Sequence, residues 1–193
     1  MRYLLTVALL ATIEMTDVVI RHDRTDRDAL ALGADYSAVC RVAADGACTL
    51  IAPRWIATAA HVASRLAAGS EISFDGEVHR VARVVVHPEG TAKPGVPPEV
   101  DLALVELERP VGSIRPIDVY RNTRELGQPV VIVGYGDFGV AGGPLTRTDG
   151  RRRAVSNVVD DAGPRRLFVS SRHRPKGPRM KVSAAPATAG APR

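Results

Sequence analysis

Two residues in this chain have the type and setting for proton transfer. His61 lies near the end of Cys48–Ala63, which reads Cys-Thr-Leu-Ile-Ala-Pro-Arg-Trp-Ile-Ala-Thr-Ala-Ala-His-Val-Ala. Asp101 opens the apolar run Leu102-Ala103-Leu104-Val105-Glu106-Leu107. General-base work needs an imidazole with a fixed ring, a chosen tautomer and a pKa near neutrality. The small residues Ala57 to Ala60 let the chain pack tightly just before His61, giving the ring a buried back and one free edge. Each residue also has a bland reading: His61 as a satisfied core histidine in an alanine-rich turn, Asp101 as a strand-capping acid at a loop exit.

The elements that must position the pair read as strands. Thr49 to Ala52 is a short apolar strand, Pro53-Arg54 a turn, and Trp55-Ile56 a second β-rich run. Ala57-Thr58-Ala59-Ala60 is a poor strand by propensity. Upstream, Tyr36 to Val42 and Ala47 to Ile51 form a hairpin about Ala43-Ala44-Asp45-Gly46. Cys40 and Cys48 flank that turn, either as a cross-strand disulfide or as two free buried thiols. Downstream, Glu71 to Phe74 and Val78 to Val86 form strands around an Asp75-Gly76 turn. His79, on the polar phase of that pattern, is expected at the surface. His87 begins a loop carrying Pro88, Gly90, Pro94, Gly95, Pro97 and Pro98, composition that disfavours a helix or a central strand. The strand after Asp101 then ends at Glu108-Arg109-Pro110-Val111.

Together these stretches resemble the trypsin-like (chymotrypsin-fold) serine proteases. Leu50 to His61 is similar to the family's region around its catalytic His, usually Leu-Thr-Ala-Ala-His-Cys after a strand and a Trp. Here Ala57 replaces the usual apolar residue and Val62 the usual Cys. Asp101-Leu102-Ala103-Leu104 is similar to the family's Asp-Ile-Ala-Leu, followed by a strand and a Pro-containing turn. The order His then Asp, 40 residues apart, also fits. The resemblance implies an all-β chain of two Greek-key β-barrels with the site in the cleft between them. It implies that His61 takes and returns a proton while Asp101 bonds the other ring nitrogen and stabilises the imidazolium. Residues 18–114 are read as the first barrel, carrying His61 and Asp101. Ile114 to Tyr120 resembles the crossing linker. Residues 115–169 are read as a partial second barrel, with a buried strand Pro129 to Gly136 ending in Gly134-Tyr135-Gly136, a strand over 152–159 and the start of another at Leu167 to Val169.

Composition bounds the rest. The 193 residues are 45% hydrophobic but only 4% aromatic, so the core must be built from Val, Leu, Ile and Ala. The net charge of +5 is unevenly placed: residues 147–193 carry 12 Lys or Arg against 3 Asp or Glu, the first 146 residues 14 against 18. The basic stretch 170–193 reads as a disordered or off-frame tail. No aromatic residue follows Phe168, so no stacking platform for a single strand exists and no nucleic-acid partner is expected. The expected partner is a protein or peptide substrate; the oligomeric state is open. His22, His61, His79, His87 and His173 are scattered without ligand spacing, and Glu71 to Glu77 lacks a calcium-loop spacing, so neither metal nor cofactor is expected. Near the start, Tyr3 to Ile13 is an apolar run of 11 residues after Met1-Arg2, too short to span a membrane. Residues 1–17 read as a signal segment, hence a secreted or periplasmic protein; the alternative is a buried first strand. Val18 to Arg21 reads as a strand and His22 to Asp28, from its charge, as a loop.

What the sequence lacks is the nucleophile. The family carries its Ser and its oxyanion amides in one Gly-Asp-Ser-Gly-Gly-Pro loop. After Asp101 the serines are Ser113, Ser156, Ser170, Ser171 and Ser183, and none has those glycines. Read from the third base of each codon, residues 180–193 permit Glu-Gly-Val-Ser-Gly-Pro-Gly-Asp-Ser-Gly-Gly-Pro-Ala, with the shifted Ser straddling Thr188 and Ala189. The chain is therefore expected to be a serine-endopeptidase-like protein, inactive as written; the alternative is a non-catalytic pseudoprotease that acts by binding. Sequencing codons 165 to 193 checks the displaced frame. Wobble bases that spell the motif are expected; an intact frame whose wobble bases do not spell it overturns the expectation.

Overall fold

The computed structural model describes residues 5–7, 18–20, 24–42, 46–90, 100–140, 144, 146, 148–163, 166–169 and 180–183. In chain order the elements are β1 (Leu5–Val7), β2 (Val18–Ile20), α1 (Asp26–Ala34), β3 (Val39–Val42), β4 (Gly46–Ala52), β5 (Trp55–Thr58), α2 (Ala60–Ala63), β6 (Glu71–Phe74), β7 (Glu77–Val86), β8 (Ala103–Leu107), β9 (Pro129–Gly134), β10 (Phe138–Val140), β11 (Arg153–Val158), β12 (Asp161–Gly163), β13 (Arg166–Val169) and β14 (Met180–Ser183).

Six strands close into a barrel in the order β3-β4-β5-β8-β7-β6, shut by the bridge from Arg41 to Ser73. Alternation drives the closure. In β8, Ala103, Val105 and Leu107 are buried while Leu104 and Glu106 are only partly so. Cys40, Leu50, Ile56, Ile72, Phe74 and Val81 fill the same interior. Each fully buried Leu, Ile or Val contributes about 1.5–3 kcal/mol, so the barrel interior dominates the stability of this half. Cys40 and Cys48, directly opposed in the β3–β4 register with Cα atoms 4.9 Å apart, are joined as a disulfide. That decides between the two readings of these cysteines.

The second half is an open set of sheets. β9 is central to β1-β9-β11, β1 running parallel and β11 antiparallel to it; β10 pairs with β2, and β12-β13-β14 form an antiparallel sheet. β9 is apolar on both sides because both sides are covered. Val130 and Ile132 meet Val159, Leu167 and Val169, while Val131 and Val133 meet Val39, Tyr135 and Ala154, with Leu32 and Tyr36 from the α1 side. Ile117, in the crossing segment, packs against both the barrel core and this second core. The fold is thus mostly β, with a closed first barrel and, among the described residues, a second half of partial sheets.

Two expectations need correction. Residues 26–28, read as loop from their charge, form the first turn of α1. The charge is the cause: Thr25 caps the helix with a reciprocal box, its Oγ1 accepting from the Asp28 N–H and its N–H donating to Asp28 Oδ2. Asp26 and Asp28 also favour the positive end of the helix dipole. His79, expected at the surface, is 9% exposed, its ring hydrogen-bonded to Glu77 and edge-on to Phe74. Besides α1, four elements were not anticipated: α2, β10, β12, and β14 within the basic tail. Of the Pro- and Gly-rich stretch after His87, residues 91–99 lie outside the described residues, as do Ala141 to Gly143. β1 lies within the N-terminal stretch 1–17, the rest of which is outside the described residues, and β2 falls on the strand read over Val18 to Arg21.

α1 is tied to β11 by charge. The Arg153 side chain, 1% exposed, reaches both Asp26 (2.6 Å) and Asp149 (2.7 Å), and its guanidinium lies 3.4 Å from the Phe138 ring centre. Hydrogen bonds from Arg153 pull the Asp149 pKa down to about 2, with help from the Arg151 N–H and against a smaller upward push from burial. A folded pKa below the unfolded 3.8 means stability that is fully present above 3.8 and lost as pH falls through about 2. Chemical denaturation of the wild type and Asp149→Asn between pH 2 and pH 6 should show a stability gap that is constant above about pH 5 and closes toward pH 2. A gap independent of pH would contradict the pairing.

Candidate active site

The strand register brings the two sequence-predicted residues together. β5 and β8 pair antiparallel with Thr58 opposite Ala103, so the residues just past Thr58 and just before Ala103 emerge at the same end of the barrel. His61 is one side of that exit and Asp101 the other. Thr58, completely buried, holds its end of β5 by donating its hydroxyl to the Ala47 carbonyl at 2.8 Å. Ala60 and Ala63 pack on Ala103 with Val84 and Val86 against them. The small side chains of Ala60 and Ala63 leave room for a one-turn helix there; earlier in the same run Ala57 and Thr58 extend β5 despite poor strand propensity, because pairing with Leu104 and Ala103 of β8 overrides it.

Asp101 satisfies two needs at once. α2 starts at Ala59, which offers no side-chain cap. The Asp101 carboxylate supplies it: Oδ1 accepts from the His61 N–H at 3.0 Å, and the Ala60 N–H also bonds the carboxylate. Oδ2 sits 2.6 Å from His61 Nδ1. A charged acceptor at this distance makes Nδ1 the protonated nitrogen of the neutral ring and leaves Nε2 with a free lone pair. The Asp101 side chain is 1% exposed and the His61 side chain 36% exposed, so the ring has a buried back and an open edge. Burial pushes the Asp101 pKa up, but the hydrogen bonds from the His61 ring and backbone, the imidazole charge and the Ala60 N–H outweigh it, and the carboxyl lies below its usual value. Such a pair can accept a proton at Nε2 and stabilise the resulting imidazolium through the carboxylate.

Residues 42–192 match the family profile of the trypsin-like peptidase domain. The chain belongs to that family. Among curated protein sequences none matches this trypsin-like peptidase chain. Its fold has solved counterparts. Neuropsin, described as a serine protease expressed in the limbic system of mouse brain, covers 73% of this chain and 73% of its own, with 14% identity and a TM-score of 0.53. A Glu endopeptidase solved in complex with MPD covers 70% of this chain and 67% of its own, with 18% identity and a TM-score of 0.51. At these identities the likeness is one of fold.

Of the serines noted in the sequence of this trypsin-like peptidase, three lie among the described residues. The Ser113 hydroxyl donates to Glu77 Oε2, and Ser156 is exposed in β11. Ser183 ends β14, while Ser170 and Ser171 lie outside the described residues. Sequence reading missed Ser64, whose hydroxyl donates to the His61 carbonyl at 2.7 Å and closes the α2 turn; its spacing of three from His61 was the available signal. It also missed the capping role of Asp101, which no local spacing could show. Among the described residues no group of His, Cys, Asp and Glu could hold a metal ion, and no helix is long and apolar enough to cross a membrane.

Asp101→Ala would leave two buried backbone N–H groups and the ring N–H without their acceptor. It is expected to destabilise the fold by about 1–3 kcal/mol in urea denaturation at neutral pH. Because the folded carboxyl lies below its ordinary value of 3.8, the loss is complete above that pH and shrinks as pH falls through the depressed value. Loss of less than about 0.5 kcal/mol would show that the carboxylate does not hold α2.

Proposed function

We propose that the chain is a serine-endopeptidase-like protein in which His61 is the general base and Asp101 the residue that orients it. The supporting observation is the 2.6 Å contact from Nδ1 to a buried carboxylate, with the opposite edge of the ring open. Peptide-bond hydrolysis by this route needs a hydroxyl at Nε2 and amide donors for the developing oxyanion. Neither is supplied by a recognisable motif in the sequence, so the polypeptide as written is inactive, the nucleophile being displaced into another reading frame. The acyl-enzyme forms on the missing group, so His61 and Asp101 alone leave very little activity. Its substrate class is protein or peptide, as for the family. The disulfide between Cys40 and Cys48 supports an oxidising compartment, and hence a secreted or periplasmic location.

A second reading has one observation in its favour. Within the tail, β14 pairs with β13 in register over four residues, from Arg166 opposite Ser183 to Val169 opposite Met180. A tail that forms ordered sheet as written suits an intact-frame pseudoprotease that binds proteins without cleaving them.

A fluorogenic peptide series assayed with the purified chain separates these readings from a working enzyme. Turnover indistinguishable from buffer is expected for the wild type and for His61→Ala alike. Turnover that His61→Ala abolishes would overturn the proposal; retention of an uncleaved protein partner would favour the second reading.

A further inference from the structure

Arg152 makes a contact between the halves that proton transfer does not use. It precedes β11, yet its side chain is 7% exposed and reaches three other elements. Nε donates to the Gly33 carbonyl in α1 at 2.7 Å. One terminal nitrogen donates to the Val39 carbonyl of β3, to the Tyr135 hydroxyl after β9 and to Asp75 Oδ1 (2.8 Å); the other donates to Asp75 Oδ2 (2.9 Å). The Tyr135 hydroxyl in turn donates to the Val39 carbonyl at 3.0 Å. Asp75 is at the tip of the β6–β7 hairpin. Its φ is +48° and that of Gly76 is +96°, the two positive values of a type I′ turn. Asp tolerates that conformation, so the turn chemistry itself puts a carboxylate at the tip facing the guanidinium. α1 must also come close: a Cβ on Gly33 would lie 2.5 Å from the Arg152 carbonyl oxygen.

We propose that Arg152 is a positioning residue that, through Asp75, sets the angle between the His61-bearing barrel and the second half. The proposal rests on reading the space between the halves as a peptidase cleft. A fork-to-fork guanidinium–carboxylate pair fixes rotation as well as distance, which a single ammonium contact cannot do. Added carbonyl acceptors in β3 and α1 make three separate elements converge on one planar group. The guanidinium is buried, while the Asp75 carboxylate at the tip is half exposed. The angle, and with it the width of the cleft, is thus held at the hairpin tip rather than at the catalytic pair.

The test reads how tightly the spacing of the halves is held. Spin labels on Val85→Cys in β7 and Ser156→Cys in β11, both exposed positions, report the distance between the halves by pulsed EPR, with the buried Cys40–Cys48 disulfide left oxidised. Asp75→Asn keeps the turn, since Asn also accepts positive φ, and removes only the charge. Arg152→Lys keeps the charge and removes the fork. Both are expected at least to double the width of the distance distribution while far-UV circular dichroism stays unchanged. An unaltered width in Asp75→Asn overturns the proposal, whether or not Arg152→Lys folds. Unfolding of Asp75→Asn also overturns it, because the pair would then be holding the barrel together rather than setting an angle. His61→Ala should leave the width as it is, so the result stands apart from whether the cleft does chemistry.

Discussion

The carboxylate of Asp101 is the interaction on which the site depends, because it answers two unrelated demands. A helix of one turn beginning at an alanine has N–H groups with no local acceptor, and a general base needs one ring nitrogen committed to a donor role. Both demands are met by one acid arriving from the start of β8, with Oδ1 on the His61 backbone and Oδ2 on its ring. Removing the acid therefore perturbs backbone and side chain together. One carboxylate thus holds the peptide of His61 and its ring together.

That arrangement is cheap for the sequence to encode but only in a closed sheet. Thr58 and Ala103 are opposite each other because β5 and β8 are neighbours in the barrel, and the barrel closes because alternate positions of six strands fill one interior. A slip of one residue between β5 and β8 would send Ala103, Val105 and Leu107 outward and carry Asp101 away from His61. Core packing and the His61–Asp101 geometry are thus the same constraint seen at two places along one strand pair.

The sequence made the first barrel legible because its strands carry unambiguous signals: alternation in β8, an Asp-Gly turn between β6 and β7, and the His61 and Asp101 stretches themselves. α1 was missed because its evidence is a polar capping box, Thr25 with Asp28, inside a run so charged that it reads as solvent-exposed loop. His79 was misplaced because its phase was inferred from its neighbours, whereas Glu77 and Phe74 give the ring a polar and an apolar partner that make burial tolerable. The pairing of β9 with β1, and of β13 with β14, joins segments distant in sequence or with weak periodicity, and no local pattern announces either. Arg152 and Arg153 look like surface charge in an Arg-rich run; only the fold shows that their partners, Asp75 and Asp26, lie 77 and 127 residues away.

The departure at Val62 shows how the His61 turn is secured without a cysteine beside it. Val62 is buried in the barrel core, and a Cβ added at Gly46 would meet its side chain at 2.7 Å and the Val42 carbonyl oxygen at 2.9 Å. The residue after the histidine is therefore wedged against the start of β4 by shape. The covalent link sits one strand back, where Cys48 joins Cys40 and pairs in register with Thr58 of β5. A crosslink closing so short a loop removes about 2.5 kcal/mol of unfolded-chain freedom in the entropic account. It stiffens β3 and β4, which carry the carbonyls of Val39 and Ala47. Those carbonyls hold Arg152 and Thr58, so one staple supports the platform beneath His61 and the contact that sets the second half against it.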